Sequence, residues 1–417
     1  MQRRKFLQLM GGAGLAAGLP GWSTQLLAAG SAKPFEGPYY LNFALSGGMD
    51  QSSWGDPRHD PAMNRYPGGA NAGKAGRLWY APMGRNKEIF QKYHKRMLVF
   101  NGLRVTVSHS VSGRLQATGR TAQGYPALAS LYASCVGEGL PIPWFVSDIG
   151  GPNAGLTPHT RIGGKAIKQL GNPNILTADI QHQRPEVVDA VKRYRLERLA
   201  AQSQEQGVMP FARNSIDKLH QARLGTDLLD RLADAMPEGD FESPEHQAIV
   251  QFAAGVTASA TTRVGGWDTH KEHPNATGGC CTRLATAIEQ AWKWAEHFGI
   301  DDKLVIHISS DTGRTPTLNA GGGKDHGGSS TNTIMMKNQN WTNRVVGITG
   351  PRHQILKINP STLQADTDGV VMNPAHVHRA LRQILGIDKH PLARQFSFGE
   401  AEIDVLNPSK SSPVRPG

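Results

Sequence analysis

Apolar residues recur along the chain in short runs, and most of these runs end in glycine or in a polar loop. The run at 38–45 alternates and then becomes continuously apolar, a pattern typical of a buried strand. Segments with apolar residues at helical spacing follow several of the runs. The predicted strands are 38–45, 96–103, 142–148, 303–309, 331–336 and 344–348, and the predicted helices are 86–94, 122–134, 244–257 and 373–386, with one amphipathic helix between 270 and 303.

Strands that alternate with helices indicate an α/β fold, in which helices flank a central sheet. One long segment, about 180–260, is helical and charged, with Val187, Val191 and Tyr194 at helical offsets. We interpret it as a helical insertion or cap that packs on the sheet and keeps its acidic residues in solvent. Residues 31–407 are predicted to form one domain, followed by a disordered tail at 408–417.

The stretch 264–328 carries the candidate chemistry, at predicted strand ends and in glycine-rich loops. Open α/β sheets bind ligands at the carboxyl ends of their strands. Asp268 and His270 are two positions apart, so on extended backbone both can reach one ion. The alternative is a hydrogen-bonded loop pair. His326, with glycines at 321–323 and 327–328, is a third candidate ligand of a divalent Zn, Mn, Mg or Fe ion.

Two further loops carry candidate groups. Asp50 follows the first predicted strand, either as a ligand or as an Asx turn that closes the strand. The segment 106–114 holds three serines, His109 and an arginine, and we expect a nucleophile or anion-binding loop there. The Asp-Thr-Gly triplet at 311–313 resembles that of an aspartic protease. The chain has no second such triplet, and Arg314 would oppose a raised pKa of the Asp311 carboxyl group, so the sequence disfavours an aspartic protease.

The first residues form an export signal. Arg3 and Arg4 precede a mildly apolar segment rich in glycine and alanine, which breaks at Pro20 and is followed by small residues at 28–30. This is a signal of the twin-arginine type, so residues 1–30 are predicted to be removed. The partner is then the twin-arginine translocase, and the folded protein is periplasmic or extracellular. The apolar segment is too short for a stable membrane span, and no permanent span is expected.

Composition narrows the partners. The chain of 417 residues has a formal charge of +11, and removal of the three basic residues at 3–5 leaves +8. The basic residues are scattered and the protein is exported, so an anionic small molecule or glycan is expected and nucleic acid is not. Cys135 and the vicinal pair Cys280-Cys281 allow no disulfide framework and no Cys-x-x-Cys metal pair. We expect them to be buried as small apolar residues.

Taken in order, the motifs resemble the exported family called domain of unknown function 1501. The resemblance covers nearly the whole mature chain, and it is the ordered set that is specific. That family is similar in fold to the alkaline phosphatase and sulfatase superfamily, which implies a three-layer sandwich: a mixed central sheet flanked by helices, with a metal cluster at its carboxyl edge. The motifs are the twin-arginine signal, Gly-Gly-Met-Asp50 after a strand, Asn101-Gly102-Leu103 with His109 beyond, Gly-Gly-Trp-Asp-Thr-His at 265–270, Asp-Thr-Gly-Arg-Thr-Pro at 311–316, Asp325-His326-Gly327 and a closing His-x-x-Leu-x-x-x-Leu-Gly helix.

The resemblance also implies roles for single residues. The implied metal ligands are Asp268, His270 and His326 for one ion and Asp50 and Asp311 for a second. The superfamily has a histidine directly after the late aspartate, where this chain has Thr312, so a second ion is in question or takes a ligand such as His109. The nucleophile would be Ser110 or Ser112. No cysteine has the Cys-x-Pro-x-Arg context of a formylglycine sulfatase.

Three functions are consistent with these observations. The first is a metal-dependent hydrolase of phosphate or sulfate esters, in which Arg314 or Arg114 stabilises the anionic transition state. The second is a non-catalytic envelope protein that binds metal or a polyanion. The third is a scaffold in which the motifs only lock loops together. We favour the hydrolase.

Overall fold

The computed structural model describes most of the chain between residues 33 and 407. The predicted signal peptide at 1–30 and the predicted tail at 408–417 lie outside the described residues. The described ranges are 33–171, 174–177, 180–205, 207–209, 212–213, 215–216 and 228–407.

An eight-stranded mixed sheet forms the centre of the fold. In spatial order its strands are β14 (Arg344–Val346), β4 (Met97–Arg104), β13 (Ser329–Met335), β10 (Leu304–Ser310), β1 (Tyr39–Leu45), β9 (Ser259–Val264), β5 (Trp144–Val146) and β6 (Thr160–Arg161). Strand β13 runs antiparallel to both of its neighbours, and all other pairs in this sheet are parallel. The predicted α/β class with a mixed central sheet is confirmed.

Three two-stranded ribbons accompany the sheet. They are β2 (Gly73–Ala75) with β3 (Leu78–Tyr80), β7 (Ile175–Thr177) with β8 (Ile180–Gln181), and β11 (Gly313–Arg314) with β12 (His326–Gly327). The last ribbon pairs Arg314 with His326 in register. It therefore holds two residues of the predicted site side by side.

Helices cover both faces of the sheet. One layer contains α1 (Asn86–Tyr93), α7 (Pro244–Ala253) and α8 (His273–His297), and the other contains α2 (His109–Thr118), α3 (Leu128–Val136), α9 (Pro374–Ile384) and α10 (Pro391–Gln395). Successive side chains of β1 point to opposite faces of the sheet, so β1 packs against both helical layers. Tyr39 stacks on Phe252 of α7, whereas Tyr40 meets Tyr132 of α3 on the opposite face. This gives the three layers expected of the fold, with an apolar core on each side of the sheet.

The serine-rich segment differs from the prediction. The sequence predicts a loop at 106–114 and a helix at 122–134, but the chain is helical from His109 and again from Leu128. Ser108 has the extended backbone of an N-cap residue, and Gly119 ends α2 in the left-handed region with φ 77°. Pro126 keeps the residue before it out of the helical region, which delays the start of α3.

The charged segment contains helices, as predicted, but part of its apolar pattern faces solvent. Its described helices include α5 (Pro185–Gln204) and α6 (Leu228–Asp234), and α4 (Gly164–Gly171) precedes them. Val187, Val191 and Tyr194 are exposed, so these residues do not pack on the sheet. None of the described helices is long and apolar enough to cross a bilayer. Cys280 and Cys281 are buried and form no disulfide, as expected, whereas Cys135 is only partly buried.

The closing helix α9 begins as predicted, at an asparagine cap followed by proline. Asn373 and His376 form a capping box, in which His376 Nδ1 accepts from the Asn373 amide at 3.1 Å. His378 lies next to it and is buried, with its Nε2 donating to the Gln116 carbonyl at 2.8 Å. Burial lowers the pKa of His378 from 6.5 to about 4.

We expect His378 to make stability depend on pH. The unfolded chain takes up a proton at His378 near pH 6.5, but the folded chain takes it up only near pH 4. The contribution of His378 to the free energy of unfolding should therefore be fully present above pH 6.5. It should fall as the pH drops towards 4, by up to about 1.4 kcal/mol per pH unit. Urea unfolding between pH 7.5 and 4.5 should show a shallower slope for His378→Gln than for wild type. An equal slope in both proteins would contradict the assignment, and exposed His182→Gln serves as the control.

Candidate metal centre

Loops at one edge of the sheet bring imidazole and carboxylate groups together. Strands β4, β9 and β10 point towards this edge, and the chain beyond them reaches His109, Asp268 and Asp311 respectively. Strand β13 runs the other way and begins at the same edge, so His326, just before it, arrives there too. His109 and His326 thus meet although 217 positions separate them.

Three imidazoles and one carboxylate form what we call the four-residue cluster: His109, Asp268, His270 and His326. Nε2 of His326 lies 2.9 Å from Nε2 of His109 and 3.2 Å from Nε2 of His270. Oδ1 of Asp268 lies 3.0 Å from Nε2 of His270 and 3.3 Å from Nε2 of His326. The ligand atoms of His109, Asp268 and His326 all lie within 4.8 Å of one another. The cluster therefore contains the three ligands predicted for one ion. It also contains His109, which was predicted only as a ligand of a second ion.

The outer nitrogen of each ring decides what the inner nitrogen can do. The three outer contacts are His109 Nδ1 with Asp311 Oδ2 at 2.8 Å, His270 Nδ1 with Asp325 Oδ1 at 2.9 Å, and His326 Nδ1 with the Val107 carbonyl at 2.9 Å. These partners only accept, so each Nδ1 carries the hydrogen and each neutral ring presents a lone pair at Nε2. Three lone pairs and a carboxylate oxygen therefore face one another. That donor set fits a divalent cation.

Arg314 fixes the Asp268 carboxylate through an ion pair. The guanidinium is buried, and it donates through Nε to the Gly48 carbonyl at 3.1 Å and through Nη1 to the Lys324 carbonyl at 2.9 Å. Its Nη2 forms an ion pair with Asp268 Oδ1. Burial acts to raise the pKa of Asp268, but the bond and charge of Arg314 outweigh it and lower the pKa below its ordinary value. Asp268 is therefore ionised at neutral pH, as a ligand must be.

Asp311 acts on the cluster through His109. Besides His109 Nδ1, its carboxylate accepts from the Gly47 amide at 3.0 Å and from the Thr312 amide at 2.9 Å. Gly47 has φ 118°, and a Cβ there would lie 2.2 Å from the Asp268 nitrogen, so only glycine allows this approach. The structure thus places Asp311 behind a cluster histidine, as the acceptor that orients it.

Asp50 lies apart from the cluster. Its Oδ2 is 2.9 Å from Lys324 Nζ and 3.0 Å from His273 Nε2, and all three side chains are buried. Oδ1 accepts from the Ser52 amide at 3.0 Å, so the Asx turn is present as well. Burial acts to raise the pKa of Asp50, but the Lys324 charge and the His273 bond bring it well below the ordinary value. Among the described residues, no hydrogen bond or ion pair joins Asp50 to the four-residue cluster.

The predicted nucleophiles occupy different environments. Ser110 lies in the first turn of α2, is exposed, and approaches Ser108 Oγ at 3.3 Å. Ser112 is buried, and its Oγ has no partner among the described residues. Arg114 follows one turn after Ser110 and donates to the Thr121 carbonyl at 3.1 Å. Ser110 is the predicted serine that an ester could reach.

Sequence reasoning missed three supporting side chains: Asp325, Lys324 and His273. The sequence could have indicated Asp325, because a carboxylate next to a ligand histidine is a frequent hydrogen-bond partner of a neighbouring imidazole. Its hydrogen bond with His270 lowers the pKa of Asp325 below the ordinary value. Lys324 and His273 gave no signal, because only the fold brings them to Asp50.

Comparisons with solved structures return sulfatases and an alkaline phosphatase. A sulfatase from Pseudoalteromonas sp. aligns at a TM-score of 0.40 and 10% identity over 93% of this chain and 75% of that chain. A structure with its substrate D-glucosamine-2-N,6-O-disulfate aligns at 0.36 and 10% identity over 92% and 82%. A mutant of TAB5 alkaline phosphatase with magnesium bound in its M3 site aligns at 0.30 and 11% identity over 73% and 91%. No family model and no curated protein matches the chain. Similarity at these TM-scores does not indicate a substrate or a reaction for this protein.

Proposed function

We propose that this protein is an exported, metal-dependent hydrolase of phosphate or sulfate esters. One observation carries the proposal: three imidazole lone pairs and the Asp268 carboxylate converge within hydrogen-bond distance, with their protons fixed on the outer nitrogens. His109, Asp268, His270 and His326 would hold a divalent ion. Three imidazoles favour zinc or another transition ion over magnesium. The ion would supply Lewis acidity to an ester oxygen.

The rest of the chemistry belongs to the side chains around the cluster. Asp311 and Asp325 accept the outer hydrogens of two rings, which fixes the tautomer and the orientation of those rings. Arg314 keeps Asp268 ionised and fixed. Ser110 is the proposed nucleophile, since it is exposed and adjoins His109. The first turn of α2 also presents backbone amides and a positive dipole end to an anionic ester group.

A non-catalytic envelope protein that binds metal or a polyanion is the second candidate. The observation that favours it is that both carboxylates assigned to a second ion already have protein partners. Asp50 is paired with Lys324, and Asp311 is bound by His109 and Gly47. A two-metal clamp on attacking and leaving oxygens is therefore not built from these residues. Such a protein would keep the ion and lack turnover.

The cellular setting belongs to the same proposal. Membership of the domain of unknown function 1501 family and export of the folded protein by the twin-arginine translocase are supported by the ordered motifs and by the N-terminal signal. The destination is then the periplasm or the extracellular space. The partner that we propose there is an anionic small molecule or glycan.

Metal content and turnover of the mature protein test the proposal. We expect about one divalent ion per chain by mass spectrometry, and hydrolysis of at least one class among aryl phosphates, phosphodiesters and aryl sulfates with Zn, Mn, Mg or Fe added. His270→Ala should lose both properties, and His182→Ala, at an exposed position, should keep both. If wild type binds metal and a polyanion but is inert, the second candidate holds. Absence of metal from wild type would overturn the hydrolase, and absence of both metal and polyanion binding would overturn both candidates and leave a scaffold.

A further inference from the structure

A pocket of about 470 Å³ adjoins the four-residue cluster. This volume lies within the usual range for small-molecule sites. One wall is the face of the sheet that carries Asn42 and Ser309, and α2, α3 and the loop 149–152 form the others. Asp311 and Ser110 also line the pocket, and Asp311 accepts from His109 of the cluster. A molecule that reaches the cluster from this side therefore extends into the pocket.

The lining of the pocket is mainly apolar, and its polar side chains include Asn42, Gln116 and Ser309. Its walls include Ala117, Leu128, Ala129 and Trp144. The polar wall groups are partly occupied already: Ser309 Oγ donates to Asn42 Oδ1 at 3.2 Å, and Trp144 Nε1 donates to Thr261 Oγ1 at 3.2 Å. Burial raises the pKa of Tyr40 above its ordinary value, so this phenol stays neutral.

Two arginines line the pocket: the partly buried Arg114 and the exposed Arg263. Arg263 donates to Ser46 Oγ and to Asp148 Oδ2, both at 2.9 Å. A guanidinium has five N–H donors, and these contacts use only some of them. Arginine side chains beside mainly apolar walls match a molecule that is anionic at one end and apolar at the other.

We propose that this pocket binds the aryl or alkyl body of a small anionic monoester whose phosphate or sulfate group lies at the cluster. The inference rests on the proposed hydrolase and names its substrate class. A sugar in the same place would bury several hydroxyl groups, and each hydroxyl without a partner costs about 1–3 kcal/mol. The alanine and leucine side chains of the walls offer no such partners, so a sugar would depend on the few polar side chains of the lining, such as Gln116. We therefore expect the pocket to prefer an apolar body to a sugar.

Two phosphonates that are not hydrolysed separate the body of the ligand from its head group. Naphthylmethylphosphonate and methylphosphonate carry the same anion, and only the first has an apolar body. By calorimetry with the metal-loaded mature protein, we expect the naphthyl compound to bind at least about 10-fold more tightly. Equal affinities, or binding of neither compound, would overturn the inference.

A matched pair of variants tests whether the difference in affinity arises in this pocket. Ala117→Leu adds a side chain to the pocket wall and should remove most of the 10-fold difference, whereas Ala190→Leu, on the exposed side of α5, should preserve it. In turnover assays, wild type should prefer naphthyl phosphate or sulfate to glucose 6-phosphate and glucosamine sulfates in kcat/KM. A preference for the sugar esters would overturn the inference.

The outcomes for the two proposals can be told apart. If the protein binds metal and hydrolyses esters but shows no gap between the phosphonates, the pocket inference fails and the hydrolase stands. If the gap is present in a protein without turnover, the hydrolase fails and the pocket stands as a ligand site.

Discussion

Replacing His326 with alanine is expected to abolish stoichiometric metal binding and to lower ester hydrolysis by more than about 100-fold. His326 is central, because its Nε2 lies within 3.3 Å of ligand atoms on the other three members of the cluster. Loss of a side chain that orients a ligand histidine usually costs about 10–100-fold in metal affinity or activity. Asp325→Asn, which weakens the partner of His270, should therefore fall between wild type and His326→Ala. Metal analysis of the purified variants and kcat/KM on an aryl ester measure both effects.

Exposed His182 supplies the control for this series, because its replacement removes an imidazole without touching the site. Thermal unfolding of each apo-protein shows whether a variant is folded. Full metal occupancy in folded His326→Ala, or an order of effects in which Asp325→Asn is the more damaging, would contradict the proposed ligand set.

Replacing Lys324 with methionine is expected to destabilise the fold by about 3–5 kcal/mol, because it leaves a buried carboxylate without its counter-charge. Lys324 and Asp50 have 0% and 1% exposed side chains, and the Asp50 carboxylate also accepts from His273, from the Ser52 amide and from the hydroxyl groups of Ser52 and Ser53. The double variant Asp50→Asn/Lys324→Met should recover part of the loss, since the amide buries no charge. Urea unfolding at neutral pH gives the three free energies.

Exposed Lys87→Met in α1 is the matched control and should change stability by less than about 0.5 kcal/mol. A loss below about 1 kcal/mol for Lys324→Met would show that the ion pair is not needed to offset the buried Asp50 charge. A double variant less stable than Lys324→Met alone would contradict the same account.

The lysine also explains why part of the predicted site is arranged differently. The resemblance implies a second ion between Asp50 and Asp311. In the structure the ammonium group of Lys324 lies against Asp50, and His109 binds Asp311. A fixed cation on the chain thus neutralises a carboxylate that the resemblance assigns to a metal. Sequence spacing could not show this, because Lys324 lies 274 positions from Asp50.

Local sequence patterns predicted most strands of the sheet well. Strand β1 was expected at 38–45 and is Tyr39–Leu45, and β10 was expected at 303–309 and is Leu304–Ser310. These strands are buried on both faces, so their apolar runs are nearly continuous. The serine-rich segment was harder, because serine favours loops and caps yet here lies in the first turns of α2.

The sequence by itself determined the fold class, the pairing of Asp268 with His270 on one short loop, and the glycines that let loops approach closely. Only the tertiary structure decided which distant groups share a site. The antiparallel direction of β13 brings His326 to the strand ends, β4 delivers His109, and the fold buries Lys324 on Asp50. The physical reason is that propensity and periodicity act over a few residues. Contacts across two hundred positions depend instead on strand order and register.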